Sequence, residues 1–337
     1  MNNAARIITL IGIFVVYLVT SVYADTHTGK KVLFVNSYHH GYDWSDGITQ
    51  GILDTFGARM TSTGKVDSSE SKVQLKIIYM DTKRNKTEEF KKSAALKAKE
   101  MIDSWQPDVV ITSDDIAAKY LIIPYYNSNS TQPFVFCGIN IDATRYGFSR
   151  ENITGMVEDI LMKQLMDELR KHAKGDRIGV LGADTLTRRE AAALYKSHYN
   201  LDVENRYAAT FDDWKKEYKS LQDAVDILLV TSPNGISGWD KKAAAEFVLK
   251  HTKIPSGATI LSAMPYSLIG FTKIAKEQGE WAAKAALEII GGKSTKDIPI
   301  TVNHQAQVDL NMRLAKKMGI VFPLDLVERG VFVEMDE

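Results

Sequence analysis

Short apolar runs alternate with amphipathic stretches along the first half of the chain. The apolar run at 31–37 predicts a buried strand, and the segment 46–56 after it has apolar residues at 48, 52, 53 and 56, which is helical spacing. Further strands are predicted at 73–80, 107–115 and 132–140, and a helix at 86–105. Strands alternating with helices in this way are typical of a parallel sheet covered on both faces.

The second half repeats this alternation. Helices are predicted at 156–173, 187–197, 211–222 and 239–252, and strands at 176–184, 201–209 and 225–235. The tail adds a helix at 277–293, a strand at 297–303, and a strand followed by a helix at 307–320. A polar connection with Gly147 and Gly155 lies near 141–156, where we expect the chain to cross between two α/β lobes.

The first 24 residues have the features of a secretory signal peptide. Arg6 provides the positive start, 7–19 is mostly apolar, and Val22-Tyr23-Ala24 is a small-x-small cleavage pattern. We therefore expect cleavage after Ala24 and a periplasmic mature protein that begins at Asp25. The alternative is an uncleaved anchor, but the apolar run is short for a span of about 20 residues. No cysteine lies near the cleavage site, so we expect no lipid anchor.

Length and charge limit the function further. Removing 24 of 337 residues leaves 313, which suits two lobes rather than one compact core. The chain has 42 Lys+Arg and 42 Asp+Glu, so loss of Arg6 leaves the mature chain one unit negative. This balance argues against nucleic acid as a partner. GxGxxG, Walker A and HExxH patterns are absent from the sequence, and we expect no cofactor.

Polar and aromatic residues follow the predicted strands of both halves. Ligands of parallel α/β sheets meet the carboxyl ends of the strands, and aromatic walls with a few polar groups suit a small organic solute. The ligand-binding candidates in the first half are Ser37, Tyr38, His39, Tyr42, Trp44, Asp46, Ser113, Asp114, Asp115, Cys137, Gly138 and Asn140. In the second half they are Asp184, Thr185, Thr187, Ser232, Asn234, Pro265 and Tyr266.

Some of these residues permit other interpretations. His39, His40 and Asp43 are possible metal ligands, but no histidine cluster in the second half completes such a site, and we expect no metal. Cys137, the only cysteine, is a possible nucleophile, although a lone cysteine at a strand end is more often a buried apolar filler. We therefore expect no enzyme, with an exported α/β enzyme as the remote alternative.

The acidic candidates also have structural alternatives. Asp114 and Asp115 are either an acid/base pair or the cap and first turn of a helix. Asp46 either faces the ligand or caps the helix after it, with the cap slightly favoured, and Trp44 either lines the cleft or packs under that helix. Acids at strand ends could meet an ammonium group of a ligand, and Arg188 could meet a carboxylate. The favoured alternative for Arg188 and Arg189 is a position on the solvated side of the helix at 187–197.

Four segments carry a resemblance to a known family. They are "VLFVNSYHHGYDWSDGITQGI" at 32–52, "PDVVITSDDIAAKYL" with "PFVFCGIN" within 107–140, "NITGMVED" at 152–159, and "GEWAAKAALEIIGGKSTKDIPI" with "VDLNMRLAKKMGI" within 279–320. They resemble ABC-transporter substrate-binding proteins of the tryptophan- and tyrosine-uptake type. They also resemble the extracytoplasmic sensor domains of bacterial histidine kinases.

The resemblance implies a type I periplasmic-binding fold, in which two Rossmann-like lobes with parallel sheets close on a ligand by hinge motion. The implied lobes are 29–150 with about 264–295, and 151–263 with about 296–337. The implied function is delivery of an amino acid, aromatic compound or sugar-like solute to an ABC permease. The alternative is a free-standing sensor component that presents its ligand to a membrane histidine kinase or cyclase.

Overall fold

The computed structural model describes residues 29–128 and 130–333, so the predicted signal peptide lies outside the described residues. The strands are β1 Lys31–Asn36, β2 Arg59–Met60, β3 Val66–Asp67, β4 Gln74–Tyr79, β5 Val109–Ser113, β6 Phe134–Asn140, β7 Ile153–Glu158, β8 Ile178–Ala183, β9 Val203–Ala208, β10 Ile227–Val230, β11 Ser256–Ala258, β12 Ile269–Lys273, β13 Thr301–Val302, β14 Ala306–Leu310 and β15 Gly330–Phe332.

The helices are α1 Asp43–Phe56, α2 Glu88–Trp105, α3 Asp114–Ala117, α4 Ile123–Tyr125, α5 Met162–Arg170, α6 Leu186–Ser197, α7 Phe211–Ala224, α8 Lys241–His251, α9 Ala275–Ile290, α10 Met312–Met318 and α11 Leu324–Arg329. A π-helical turn at Ala118–Ile122 joins α3 to α4. No helix within 29–128 and 130–333 is both long and apolar enough to cross a bilayer.

Two sheets form two lobes, as predicted. The first has the order β13-β7-β6-β5-β1-β4 with every pair parallel. The second has the order β15-β14-β12-β11-β10-β8-β9, and its pairs are parallel except β12 with β14. Parallel sheets of this kind present the carboxyl ends of their strands at one edge, which is where ligands of such folds bind.

Alternating side chains of the first-lobe strands pack against helices on opposite faces. Val32 and Phe34 of β1 belong to the core beneath α1 and α9, whereas Leu33 and Val35 belong to the core beneath α2. This alternation follows from the two-residue repeat of a strand, and continuous apolar runs mark strands buried on both faces. A third core fills the second lobe.

The segment 153–158 differs from the predicted structure. The sequence predicts a helix from 156, but Ile153–Glu158 is a strand that pairs with β6, and α5 begins only at Met162. Gly155 permits this pairing, since a Cβ there would lie 2.3 Å from the Phe136 ring. The glycine that suggested a loop therefore makes room for a neighbouring aromatic ring.

The chain crosses between the lobes three times. It passes from β7 to α5, from β12 back to α9, and from β13 to β14. The predicted boundaries assign 153–158 to the second lobe, 269–273 to the first and 301–302 to the second. In the structure β7 and β13 belong to the first sheet and β12 belongs to the second.

Polar side chains tie the three crossings together. The buried carboxylate of Glu277 accepts hydrogen bonds from the backbone N–H groups of His304 and Gln305, both at 3.0 Å. Asn303 accepts a hydrogen bond from the Asp159 N–H at 2.7 Å and donates one to the Asp159 carbonyl. These bonds satisfy backbone groups where the chain leaves its sheets, so the crossings form one hinge.

Candidate ligand-binding site

The loop after β1 is fixed by two buried serines. Ser37 Oγ donates to the Ser113 carbonyl at 2.5 Å and accepts from the Ala117 N–H at 2.9 Å, and Ser113 Oγ accepts from the Ser37 N–H. Both serines are fully buried. They hold the carboxyl ends of β1 and β5 together, and their polar atoms are engaged within the protein.

Three aromatic side chains stand at this edge. The Tyr38 and Tyr42 rings meet edge to face with centroids 5.5 Å apart, and both are half-buried, as is Trp44. Lys83 Nζ lies 4.5 Å from the Tyr38 ring centroid and 5.2 Å from that of Tyr42. Burial raises the pKa of Tyr38 well above its usual value, so its hydroxyl stays neutral. We call Tyr38, Tyr42 and Trp44 the aromatic edge.

Asp114 lies behind the aromatic edge as a buried acid. Its Oδ1 accepts from Trp44 Nε1 at 3.0 Å, and its Oδ2 is buried without a hydrogen bond of normal geometry to any described residue. Its backbone φ is +64°, which is uncommon for a residue other than glycine. Burial raises the pKa of Asp114 to about 8, and the charges of Glu158 and Asp115 act in the same direction.

Asp115 has a different environment. It accepts a hydrogen bond from Asn140 Nδ2 at 2.7 Å and one from the Tyr146 hydroxyl at 2.8 Å, and it forms an ion pair with Arg145. The two neighbouring acids therefore play separate roles: one is buried and neutral near pH 7, and the other anchors the loop after β6. Both acids lie in the first turn of α3, as one of the two sequence interpretations predicted, but Ser113 and neither acid occupies the N-cap position.

Glu158 and Lys273 join the two lobes beside Trp44. Glu158 ends β7 in the first sheet, Lys273 ends β12 in the second, and their side chains form an ion pair. Lys273 Nζ also lies 5.5 Å from the Trp44 ring centroid. Burial raises the pKa of Glu158, whereas the charges of Lys273 and Lys83 act against that rise. The sequence analysis did not identify this pair, whose members are 115 residues apart.

His39 and Asp46 are engaged with the loop itself. His39 Nδ1 lies 3.6 Å from Asp81, while Asp46 contacts His40 Nδ1 at 2.9 Å and accepts a hydrogen bond from the Gly41 N–H. Tyr42, not Asp46, occupies the N-cap position of α1. No group of three or more His, Cys, Asp or Glu in the described part of the chain is placed to hold a metal.

Cys137 and Gly138 lie below the edge. The Cys137 side chain is fully buried in the core shared with α1 and α9, and it does not face the edge. Gly138 has φ +69° and its N–H donates to Gln278 of α9 at 2.9 Å. A Cβ on Gly138 would lie 3.2 Å from Asp114 Oδ1, so the glycine leaves room for that carboxyl.

We expect the Cys137 thiol of the native protein to resist modification by a thiol reagent. Burial raises its pKa well above the usual value, and the fully buried sulfur is out of reach of solvent. Reaction with 5,5′-dithiobis(2-nitrobenzoate) before and after addition of guanidinium chloride measures this. Rapid reaction of the folded protein would contradict the placement.

The second-lobe candidates are mainly exposed and bind their own loops. Asp184 pairs with Arg189, the Thr185 hydroxyl caps α6 by accepting from the Arg188 N–H, and Thr187 is exposed in the first turn of α6. Ser232 Oγ accepts from the N–H of Asn234, which is exposed. These residues lie at the carboxyl ends of β8 and β10.

Tyr266 lies inside the second lobe. Only 1% of its surface is exposed, its hydroxyl accepts from Trp239 Nε1 at 3.3 Å, and its ring packs against Trp239 and Trp214. The expected role in ligand binding does not suit this position, because the ring belongs to a closed aromatic cluster. Pro265 precedes it in a short 3₁₀ turn and is half-buried.

The same edge of the second lobe exposes apolar side chains that the sequence candidates omit. Leu186 is 73% exposed after β8, and Ile260 and Leu261 are 43% and 56% exposed after β11. Exposed apolar side chains are typical of binding surfaces when they form a patch, and these three follow strands that end at the same edge of the sheet. Their position after predicted strands was visible in the sequence, but their exposure was not.

Solved structures of binding proteins share this fold. A ligand-free, open structure of CD0873, a substrate binding protein with adhesive properties from Clostridium difficile, has a TM-score of 0.66, 17% identity and coverage of 91% of this chain and 100% of that chain. An ABC domain in complex with L-Trp from Streptococcus pneumonia has a TM-score of 0.51, 16% identity and coverage of 91% and 100%.

A periplasmic ribose ABC transporter protein from Conexibacter woesei DSM 14684 has a TM-score of 0.52, 13% identity and coverage of 88% of this chain and 96% of that chain. At these identities the likeness concerns the fold, which is the two-lobed type I periplasmic-binding fold. The predicted fold class is therefore confirmed. No curated protein matches the chain in sequence.

The sequence itself matches a family described as ABC transporter substrate binding protein, over residues 67–331. That family and the structural neighbours are binding proteins for transport, which confirms the prediction that the chain is not an enzyme. The match extends over more than half of the chain, and the chain therefore belongs to the ABC transporter substrate-binding protein family.

Proposed function

We propose that this protein binds a small organic solute in the periplasm, between its two lobes, and delivers it to an ABC importer. The observation that carries the proposal is the aromatic edge: three rings lie at the carboxyl edge of the first sheet, beside the ion pair that joins the lobes. Aromatic faces with a few polar groups between two lobes are typical of small-molecule sites.

The proposed site contains fewer residues than the set of ligand-binding candidates predicted from the sequence. It keeps Tyr38, Tyr42 and Trp44, and adds Lys83 and Lys273, whose ammonium groups lie on these rings. The second wall is the apolar group Leu186, Ile260 and Leu261. The proposed site leaves out four candidates whose side chains are buried and engaged within the lobes, namely Ser37, Ser113, Cys137 and Tyr266.

The hinge supports capture by closure. Glu277 and Asn303 tie the three crossings to one another, which suits rotation of the two lobes about a single hinge. A ligand that contacts both walls would favour the closed state in proportion to its added contacts. The likeness to an open, ligand-free binding protein is in keeping with this.

A thermal-shift screen tests the proposal. The full sequence is expressed, the protein is purified from the periplasmic fraction, and its Tm is measured with amino acids, organic acids, nucleosides, sugars and polyamines. A bound solute at about 100 times its Kd is expected to stabilise the protein by about 2.7 kcal/mol, a shift of several degrees. Failure of every class to shift the Tm would overturn the proposal.

We expect Trp44→Ala to weaken binding of the identified solute at least tenfold, because it removes an aromatic wall worth about 1 kcal/mol or more beyond its buried area. Trp105→Ala is the matched control, since Trp105 lies at the end of α2 under Lys76. Isothermal titration calorimetry of both variants measures the difference. Equal affinities in the two variants would place the site elsewhere.

A further inference from the structure

We propose that the aromatic edge takes an organic anion, a carboxylate joined to a flat apolar body, and that Lys83 receives the carboxylate. This inference rests on the proposed function and adds the class of ligand. It follows from the arrangement of charges around the aromatic edge. Most of the acids there are paired or buried, whereas the Lys83 ammonium group has no carboxylate partner among the described residues.

Three of the acids around the rings already have cationic partners. Asp81 forms an ion pair with Arg84, Asp115 with Arg145, and Glu158 with Lys273. An ammonium group of a ligand would have to displace one of these cations to reach its carboxylate. Exchanging one ion pair for another yields little net free energy at a partly exposed site.

The remaining acid behind the rings is poorly placed for a cation. Asp114 is 2% exposed and presents no oxygen to a ligand, since Oδ1 accepts from Trp44 Nε1 and Oδ2 is buried. Its raised pKa keeps it largely protonated at neutral pH. Asp43 is exposed in the first turn of α1, where the helix dipole already favours its charge.

Lys83, in contrast to the paired acids, is exposed and has no ion-pair partner among the described residues. It follows β4 at the carboxyl edge and rests on the faces of Tyr38 and Tyr42. A cation–π contact at an exposed site is weak, whereas a charge-assisted hydrogen bond to a carboxylate is stronger. The rings therefore position the ammonium group and leave its N–H donors for an incoming anion.

The second wall, on the second lobe, also has a paired acid and a cation without a carboxylate partner among the described residues. Asp184 is paired with Arg189, whereas Arg188 has no carboxylate partner within the described chain and lies over Gly182 of β8. The exposed large apolar side chains that follow β8 and β11 are Leu186, Ile260 and Leu261. An apolar body with one negative charge matches both walls. The exposed carboxylate beside the rings, Asp43, lies in the first turn of α1, where the helix dipole already stabilises its charge.

Calorimetry with probes of equal shape and different charge tests the inference. The probes are 3-(indol-3-yl)propanoate, its neutral amide, tryptamine and L-tryptophan, with 3-phenylpropanoate and cyclohexanecarboxylate to vary the body. We expect a carboxylate from this set to bind at least tenfold more tightly than tryptamine and L-tryptophan. Lys83→Gln should weaken that carboxylate about tenfold or more and leave the amide unchanged, because only the charged contact is lost.

Two further variants separate a contact with Lys83 from a general charge effect. Lys83→Arg should keep most of the affinity for the carboxylate, and Lys92→Gln, an exposed lysine on α2, should keep all of it. Tighter binding of tryptamine or L-tryptophan, or equal binding by the parent and Lys83→Gln, would overturn the inference. Either result would leave the proposed function standing, whereas a failure of every solute class in the thermal screen would remove both.

Discussion

The Asp114→Asn variant is expected to be more stable than the parent protein above pH 8, by on the order of a few kcal/mol. Asparagine keeps the shape of the side chain, accepts from Trp44 Nε1 through Oδ1, and tolerates the left-handed backbone of this position. It carries no charge, so it removes the buried carboxylate that the parent acquires in alkaline solution.

The direction follows from the two pKa values of the carboxyl group. Its ordinary value is 3.8, and burial raises the pKa of Asp114 to about 8 in the folded protein. Between these values the unfolded chain loses the proton and the folded protein keeps it, so folding becomes less favourable as the pH rises. The contribution is fully present below about pH 4 and lost above about pH 8.

Denaturant unfolding of both proteins between pH 4 and pH 9 measures the effect. The free energies of unfolding should agree near pH 4, diverge up to about pH 8, and then differ by a constant amount. Asp212→Asn is the control, because that exposed carboxylate pairs with Lys215 at the surface and should change little at any pH. Parallel curves for the parent and Asp114→Asn would show that the carboxyl group is solvated.

The alternation of strands and helices was predictable because each strand has a short apolar run and each amphipathic helix has its own period. Helix α1 ends at Phe56 and α2 at Trp105, as their patterns predicted. Strand β7 was not predictable, since its glycine and the apolar residues after it resemble the start of a helix. Its pairing depends on Phe136, which is distant in sequence.

The candidate site was predictable as a region and not as a set of contacts. The aromatic loop after β1 and the acids after β5 do meet, but the bond from Trp44 to Asp114 joins residues 70 apart. Which acid is buried and which is paired depends on Arg145 and Tyr146, and a single sequence does not reveal these contacts. Buried candidates such as Tyr266 illustrate the same limit. A single sequence does not distinguish an aromatic residue at the exposed end of a strand from one in the core.

The Gly279→Ala variant is expected to lose at least about 3 kcal/mol of folding free energy, because α9 packs directly on the backbone of α1. A Cβ on Gly279 would lie 2.0 Å from the Ile48 carbonyl oxygen, and one on Gly51 would lie 2.3 Å from the Lys276 carbonyl oxygen. The two glycines thus let the helices touch, and neither backbone can move without disturbing the core between Ile52 and Ala283.

The same contact anchors the second crossing, so the variant tests how the hinge depends on it. Helix α9 follows β12 of the second sheet directly, and Gln278 beside the glycine holds Gly138 and the Val157 carbonyl. Gly291→Ala is the matched control: φ is −73° and the nearest atom lies 3.3 Å from its Cβ, so we expect a change within about 1 kcal/mol. A Tm loss of about 6 °C or more for Gly279→Ala alone is the expected result. Equal losses in the two variants would mean that α9 can shift away from α1, and that the first lobe does not fix the position of the hinge.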